Sequence, residues 1–348
     1  HCSCINSTYF CHNKNLYKNI IGKVYKYHMK ILVIQNRMGI GDTIIFLPFI
    51  KALYKKYNSP ISLLVKESSK ADQYLHQTEY IDKIIILERN DENNKRHSGI
   101  YGILNLIKDL KKHNFDKIFI FNSSLRYNLI ARFSKIPEIY QYPLFSKSKQ
   151  HITNVPKKFM KEKLNLEVNE DPEIQIDNML ILKTVKKFQI DKKELNILLG
   201  IGGSGPTKRI PAKTFLDVMD KISKVKKCRF FLATGQDIEE QIILNEILNS
   251  KFKDLCERLD NLTIRETLPI IKCCDLSICN DTSFSHLSAA LNIKTITLMA
   301  DTPLIYGNYN SKMFPIIPDG ENTVGHNTLG KDKINPEKIF NKIIEIIN

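Results

Sequence analysis

Three short loops contain residue types that suit a phosphorylated ligand. The most informative is residues 279–287, where an apolar run ends at Asp281, Thr282 and Ser283 and a helix is predicted to begin. A helix start presents unpartnered backbone N–H groups and the positive end of the helix dipole, which together bind phosphate. His286, one turn into this helix, either faces the ligand or is a hydrogen-bonded helix residue. The pattern is equally typical of an ordinary capped helix, so the segment alone leaves both interpretations open.

The second loop, residues 202–209, is rich in glycine and ends in two basic residues. Its glycines, Gly203 among them, allow close approach of backbone N–H groups to a ligand, and Lys208 and Arg209 can balance the charge of that ligand. The spacing differs from a Walker A loop, and an exposed basic turn would have the same composition. Because the loop follows the first strand of a second strand–helix series, we favour Lys208 as a phosphate contact.

The third loop, residues 36–43, carries Gly39 and Gly41 immediately before Asp42. A dinucleotide fingerprint requires a further glycine where Ile44 stands, which argues against a nicotinamide cofactor. Asp42 is either the N-cap of the following helix or a cleft carboxylate that takes a proton from an attacking hydroxyl. Together the three loops indicate a diphosphate-bearing ligand held opposite a carboxylate.

Composition limits the class of protein. The 348 residues are 43% hydrophobic and 26% charged, which predicts a globular protein of two domains. No apolar run is long enough to span a bilayer. The net charge of +15 indicates anionic partners, but no nucleic-acid-binding motif is present, so nucleic acid is not an expected partner.

The eight cysteines do not form a disulfide framework. Five lie in or beside apolar runs and are predicted to be reduced core thiols of a cytosolic protein. Cys2, Cys4 and Cys11 crowd the start of the chain with a spacing that matches no established zinc site. Because Met29 opens the first strand-like run, residues 1–28 are predicted to be a poorly ordered extension without a secretory signal.

From Met29 onward short apolar strands alternate with amphipathic helices, which predicts a parallel α/β fold. The alternation restarts near residue 196, indicating two Rossmann-like domains that face each other across a ligand cleft. The predicted domains are 29–190 and 191–334, followed by a helix over 335–348 that packs back near the joint. Residues 142–168 show no periodicity, and 294–299 is predicted to be the last strand of the second sheet.

Four segments resemble, in consistent order, the lipopolysaccharide heptosyltransferase family of inverting glycosyltransferases with two-Rossmann (GT-B) architecture. They are residues 29–48, 115–132, 200–211 and 274–307. The most specific similarities are Gly41-Asp42 with Pro48, Lys208 to Pro211, and Asn280 to Thr282 with His286 and Leu287.

This resemblance implies that the N-terminal domain binds a sugar acceptor, that the C-terminal domain binds ADP-heptose, and that Asp42 is the general base. The implied donor-binding residues are Gly203, Ser204, Lys208, Arg209, Asp281, Thr282, Ser283 and His286. The implied acceptor-binding residues are Arg37, Gly41, Arg126 and Arg132. No metal or other cofactor is expected, because protein cations and a helix dipole stabilise the leaving diphosphate.

The chain departs from the family pattern at several positions. Ser283 stands where the family usually has glycine, Ile210 where an aromatic residue is common, and the region near Tyr306 lacks the usual tryptophan. These departures leave the donor sugar and its nucleotide open. The alternatives are a glycosyltransferase of the same fold with another donor, a two-Rossmann nucleotide-sugar epimerase, and a non-catalytic protein that binds anionic glycan or nucleic acid.

Basic residues also bear on the partners. Arg126, Arg132 and the lysines of residues 147–163 suit an anionic, phosphorylated glycolipid acceptor. They further predict loose contact with a membrane surface, at the cytoplasmic face of the inner membrane, although a solvated loop would have the same lysines.

Overall fold

The computed structural model describes residues 28–37, 39–90, 94–144 and 152–347, and eleven strands and eleven α-helices lie within these ranges. The strands are β1 (Ile31–Ile34), β2 (Ile61–Lys66), β3 (Ile81–Leu87), β4 (Lys117–Ile120), β5 (Glu138–Gln141), β6 (Leu195–Gly200), β7 (Cys228–Ala233), β8 (Cys256–Arg258), β9 (Leu276–Asn280), β10 (Lys294–Leu298) and β11 (Met313–Ile316). The helices are α1 (Ile40–Tyr57), α2 (Ala71–Tyr74), α3 (Tyr101–Lys111), α4 (Leu125–Phe133), α5 (Asn154–Leu164), α6 (Asn178–Phe188), α7 (Ala212–Ser223), α8 (Ile238–Leu248), α9 (Ile264–Cys273), α10 (Ser283–Ala290) and α11 (Pro336–Ile347). The predicted extension lies outside the described residues except for His28, and Cys2, Cys4 and Cys11 lie wholly outside them.

The strands form two parallel sheets. The first has the order β3-β2-β1-β4-β5 and the second the order β11-β10-β9-β6-β7-β8. In each sheet the chain moves outward from the first strand and then returns to pair on its other side, β1 with β4 and β6 with β9. Ligands of Rossmann-like sheets bind outside the carboxyl ends of the strands at these reversals. The α/β fold with two Rossmann-like sheets is therefore confirmed.

The central strands are buried and mostly apolar because helices cover both faces of each sheet. In β1, Leu32 and Ile34 pack with α3 and α4 on one face, whereas Ile31 and Val33 pack with α1 on the other. The cluster around α1 continues into the second half through α10, so a single apolar core joins the two halves on the α1 side. This core fixes the start of α1 relative to the start of α10.

Two predictions about secondary structure are wrong. Helix α5 occupies part of the stretch predicted to lack periodicity, and its buried residues Pro156, Phe159, Met160 and Leu164 follow a helical spacing that the intervening lysines obscure. Strand β11 pairs with β10, so β10 is not the last strand of the second sheet. Proline at position 315 disguised β11, as is typical of an edge strand.

Helix α11 buries Ile339 and Ile343 in the second apolar core, together with residues of α7 and β10. The predicted domain bounds, and the place of this helix near the joint, stay predictions. Among the described residues, no helix is both long and apolar enough to span a membrane. The five cysteines of the described residues are free thiols; Cys228, Cys274 and Cys279 are buried and Cys256 and Cys273 are partly buried.

Candidate active site

A cleft of about 840 Å³ lies between the carboxyl edges of the two sheets. Residues 39–42 and 68–73 line it from the first half, in loops that follow β1 and β2. Loops that follow β6, β7, β8, β9 and β10 line it from the second half. Its volume lies within the range of about 300–1,000 Å³ that is usual for ligand sites. The cleft therefore lies at the points where the strand order of each sheet reverses, and these are the points at which the fold is expected to bind ligands.

Asp42 lines the cleft from the first turn of α1. It is not the N-cap residue, because Gly39 holds that position and donates its N–H to Asp42 Oδ2 at 3.1 Å. Arg37 Nη1 lies 3.6 Å from Asp42 Oδ1, and the carboxylate side chain remains 24% exposed. One carboxylate oxygen is thus fixed by the backbone while the group stays accessible from the cleft.

At Gly41 the two halves approach each other closely. A Cβ atom on Gly41 would lie 2.4 Å from Cδ2 of His286, which belongs to the other half. His286 is buried, and its Nδ1 lies 2.8 Å from the hydroxyl of Tyr309. Burial lowers the pKa of His286, although Asp281 and Asp42 partly oppose this effect, so the ring is neutral near pH 7. His286 lines the cleft floor but also forms the contact between the halves.

Lys208 and Asp281 form an ion pair at the cleft wall. Lys208 Nζ donates to Asp281 Oδ2 at 2.9 Å, and the aspartate side chain is only 6% exposed. Burial by itself would raise the pKa of Asp281, but His286 and Lys208 outweigh it and hold that pKa below its ordinary value. Asp281 therefore orients Lys208, which keeps two of its three N–H donors for a ligand.

Helix α10 begins at the cleft as the sequence predicted. Thr282 is its N-cap, and the threonine hydroxyl accepts a hydrogen bond from the N–H of Phe284. Ser283 occupies the first helical position and lines the cleft beside Thr282. The hydroxyl of Thr282 uses the N–H of Phe284 and the Thr282 carbonyl oxygen uses the N–H of Ser285, so the N–H of Ser283 and the positive end of the helix dipole remain for a ligand among the described residues. This end of α10 can accommodate an anionic group.

Glu240 connects two of the glycine-containing loops. Its carboxylate accepts hydrogen bonds from the N–H of Gly203 at 2.6 Å and from the N–H of Gly235 at 2.7 Å. A Cβ atom on Gly202 would lie 2.9 Å from Glu240 Oε1, so glycine is required there for this approach. The N–H of Gly203 is consequently used within the protein, whereas Ser204 is exposed at the cleft wall.

Four of the predicted arginine contacts lie outside the lining of the cleft. Arg209 is engaged with Gly203 O and with the acidic side chains of Asp237 and Glu239. Arg126 donates to the carbonyl oxygens of Gly99 and His97, which ties the start of α4 to the start of α3. Arg132 donates to Asn128 Oδ1 on the surface of α4. The guanidinium group of Arg37 lies 3.6 Å from Asp42 Oδ1, beside the cleft lining.

The sequence reasoning missed several residues of the second half that line the cleft. They are Thr234, Gly235, Gln236, Glu240, Asp260, Leu262, Thr263, Ile264, Phe284, Thr302, Tyr306 and His326. The Thr-Gly-Gln segment directly follows β7, so the rule that ligand loops follow strand ends could have found it. No group of three or more histidine, cysteine, aspartate or glutamate side chains within the described part of the chain is arranged to hold a metal ion.

The sequence is similar to a glycosyltransferase family and to named heptosyltransferases over most of its length. The model of glycosyltransferase family 9 (heptosyltransferase) matches residues 103–317. Lipopolysaccharide heptosyltransferase 1 of Campylobacter coli is 24% identical over 337 residues, which cover 87% of this chain and 93% of that protein. Lipooligosaccharide heptosyltransferase 2 of Campylobacter jejuni is 26% identical over 316 residues, covering 82% of this chain and 93% of that protein.

Solved structures show the same architecture. Escherichia coli ADP-heptose LPS heptosyltransferase II has a TM-score of 0.69 at 17% identity, covering 91% of this chain and 98% of that chain. A family 9 glycosyl transferase from Veillonella parvula has a TM-score of 0.75 at 17% identity, covering 91% of this chain and 97% of that chain. These likenesses establish the fold, and the family model covers more than half of the sequence. The chain belongs to glycosyltransferase family 9, the heptosyltransferase family, and it is a glycosyltransferase.

Proposed function

We propose that this enzyme is an inverting transferase that moves heptose from ADP-heptose to a lipopolysaccharide core acceptor. One observation carries the proposal: Asp42 lines the same cleft as the Lys208–Asp281 pair and the start of α10. Family 9 membership supports glycosyl transfer. The names of the E. coli and C. coli relatives point to ADP-heptose and lipopolysaccharide as the substrates to test first.

In the proposed reaction, Asp42 accepts the proton of an acceptor hydroxyl while that oxygen attacks the anomeric carbon of the donor sugar. The bond between this carbon and the diphosphate oxygen breaks on the opposite face, which inverts the configuration. The bonding electrons remain on the departing ADP. The Gly39 N–H bond to Asp42 Oδ2 orients the carboxylate, so a proton is best received at Oδ1.

The proposed stabilisation of the leaving diphosphate comes from Lys208 and the first turn of α10. The Asp281 carboxylate orients the Lys208 ammonium group, and the N–H groups at Thr282–Ser283 add the helix dipole. The N–H of Gly203 is excluded from this role because Glu240 uses it. In this scheme the protein cations take the place of a metal ion, and no cofactor is required.

We further propose that the acceptor is an anionic glycolipid that binds on the first half of the cleft, so that the enzyme acts at the cytoplasmic face of the inner membrane. The lysines of α5 support this less than the sequence suggested, because Lys161 and Lys158 pair with Glu167 and Glu162. Lys147 and Lys149 lie outside the described residues.

The deciding experiment measures ADP release from ADP-heptose with and without a deacylated lipid A–Kdo acceptor. We expect acceptor-dependent release by the wild-type enzyme and a loss of about 10²–10⁴-fold in kcat for Asp42→Asn, with ADP affinity unchanged. Asp254→Asn is the matched control, because Asp254 is an exposed carboxylate on the second half outside the cleft lining.

Other outcomes would redirect the proposal. Donor turnover without acceptor would indicate an epimerase or a hydrolase. ADP-heptose binding without turnover would mean that the acceptor is wrong. If neither binding nor turnover occurs, heptose is excluded and other sugar nucleotides become the candidates.

A further inference from the structure

The outer face of the first half exposes a cluster of large apolar side chains. On α3 and the residue before it, Ile100 is 80% exposed, Tyr101 82% and Leu104 59%. On α4, Leu125, Leu129 and Phe133 are also exposed, and Phe133 reaches 61%. We call these six residues the α3–α4 patch. Exposed apolar residues that cluster in this way mark an interaction surface, whereas isolated ones do not.

The two helices that carry the patch pack directly against each other. Helices α3 and α4 share a buried core on the face of the first sheet opposite α1. Arg126, in the first turn of α4, donates to the carbonyl oxygens of Gly99 and His97 directly before α3. Arg126, which was predicted to contact an acceptor, therefore links the start of α4 to the start of α3.

Basic residues continue each apolar stripe. The exposed face of α3 runs from Tyr101 and Leu104 to Lys108 and Lys111 at spacings of three and four residues. The exposed face of α4 likewise leads from its leucines to Arg132, beside Phe133. Residues 94–144 contain nine lysines and arginines against three aspartates and glutamates. Asp109 is neutralised by Arg96 and Lys112, and Glu138 by Lys117.

The patch begins at the edge of the sheet that borders the cleft. Helices α3 and α4 start at the carboxyl ends of β3 and β4, and α1 with Asp42 starts at the carboxyl end of β1. The side chain of Asn36, one residue before Arg37, donates to the hydroxyl of Tyr127 on α4. A surface bound to the patch would therefore lie beside the first-half side of the cleft.

We infer that the α3–α4 patch is the membrane-binding surface of this protein and that its partner is an anionic phospholipid bilayer. Apolar side chains that enter the headgroup boundary, with adjacent lysines and arginines on lipid charges, are the pattern of an interfacial membrane contact. Charge distinguishes this patch from another exposed apolar pair, Ile238 and Ile242 on α8, which lies among Asp237 and Glu239. An anionic surface would repel the α8 pair and attract the α3–α4 patch.

The test is co-sedimentation of the full chain with vesicles of phosphatidylcholine alone or mixed with phosphatidylglycerol. The patch variant combines Tyr101→Ser, Leu104→Ser and Phe133→Ser, and we expect it to bind anionic vesicles on the order of tenfold more weakly. Lys108→Gln and Lys111→Gln should each cost about fivefold, and only with anionic vesicles. Ile238→Ser with Ile242→Ser is the matched control and should leave vesicle binding unchanged.

The inference would be overturned by no binding of the wild type to anionic vesicles, by equal binding of the patch variant, or by loss of binding on replacing Met179 and Leu182, the exposed apolar pair of α6. A wild type that self-associates through the patch without binding vesicles would also refute it. Thermal unfolding and turnover of a water-soluble acceptor by the patch variant show that the variant is folded. Vesicle binding needs neither sugar, so its failure is distinct from a failure of the proposed reaction.

Discussion

The two rims of the cleft are built differently. On the second-half rim, hydrogen bonds and ion pairs within the protein occupy most of the polar groups: Glu240 binds two loop N–H groups, and Lys208 is paired with buried Asp281. On the first-half rim, Arg37 is half exposed and lies 3.6 Å from Asp42. Lys70 has no ion pair among the described residues. The second-half rim is preorganised, whereas the first-half rim is open.

This difference fits the proposed roles of the two rims, in which the second half stabilises the leaving group and the first half binds the acceptor. Electrostatic stabilisation of a leaving group is most effective when the charges are fixed before the reaction begins, because no reorganisation is then required. A large acceptor needs room and adaptable side chains instead. The comparison predicts that substitutions of paired groups on the second-half rim affect rate and stability together, while substitutions of the exposed first-half side chains Arg37 and Asp42 change the rate with little effect on stability.

The largest effect is expected for Lys208→Met. Loss of the cation should lower kcat about 100-fold or more, because the diphosphate loses a fixed positive charge. It should also destabilise the protein by on the order of 3 kcal/mol, since Asp281 would remain charged and buried without its partner. The change in kcat is measured by steady-state ADP release, and the change in the free energy of unfolding by chemical denaturation of the same preparation.

The double variant Lys208→Met with Asp281→Asn separates the two effects. Relative to Lys208→Met, the free energy of unfolding should recover, because the buried Asp281 carboxylate is no longer present without a partner. The value of kcat should stay low. Recovery of the rate as well would mean that Lys208 acts only by neutralising Asp281, and the preorganised rim would then have no catalytic role.

The sequence predicted the fold because its signals are local. Each apolar strand followed by an amphipathic helix carries its own periodicity, and the starts of α1 after Gly39 and of α10 after Thr282 follow from glycine and cap residues in the chain. The edge strands β5, β8 and β11 were missed because partial burial and, in β11, a proline weaken the strand pattern. The lysines of α5 concealed a helical spacing of buried residues in the same way.

The prediction of site residues was more accurate for the loops than for the arginine side chains. A loop is placed by the strand that precedes it, so Lys208 and Asp281 converge as topology requires. An arginine side chain is long, and its partner is decided by tertiary packing. Arg126 satisfies two backbone carbonyls and Arg209 pairs with acids of the following strand–helix connection, which no local pattern reveals.

A second test concerns the contact that joins the two rims. Gly41→Ala would place a methyl group 2.4 Å from His286, so the halves must separate or the ring must move. We expect a loss of about 1–3 kcal/mol in the free energy of unfolding, together with a reduced turnover, from the overpacked contact. Gly325→Ala is the matched control, because a Cβ atom on Gly325 would have no heavy atom of the described residues within 4 Å. Equal losses in both variants would contradict a specific contact at Gly41.

The smallest expected effect is a pH dependence of stability that arises from His286. Because burial lowers the pKa of this ring from 6.5, the unfolded chain binds a proton below pH 6.5 while the folded protein does not. Stability should therefore decrease as pH falls from 6.5 to the folded pKa, by at most about 1.4 kcal/mol per pH unit, and then level off. His286→Gln should lack this component, whereas replacement of the exposed His326 by glutamine should retain it. The measurement is the free energy of unfolding of the wild type and of His286→Gln between pH 5 and pH 8. If the two curves of unfolding free energy against pH are parallel, the ring is not held neutral between the two halves.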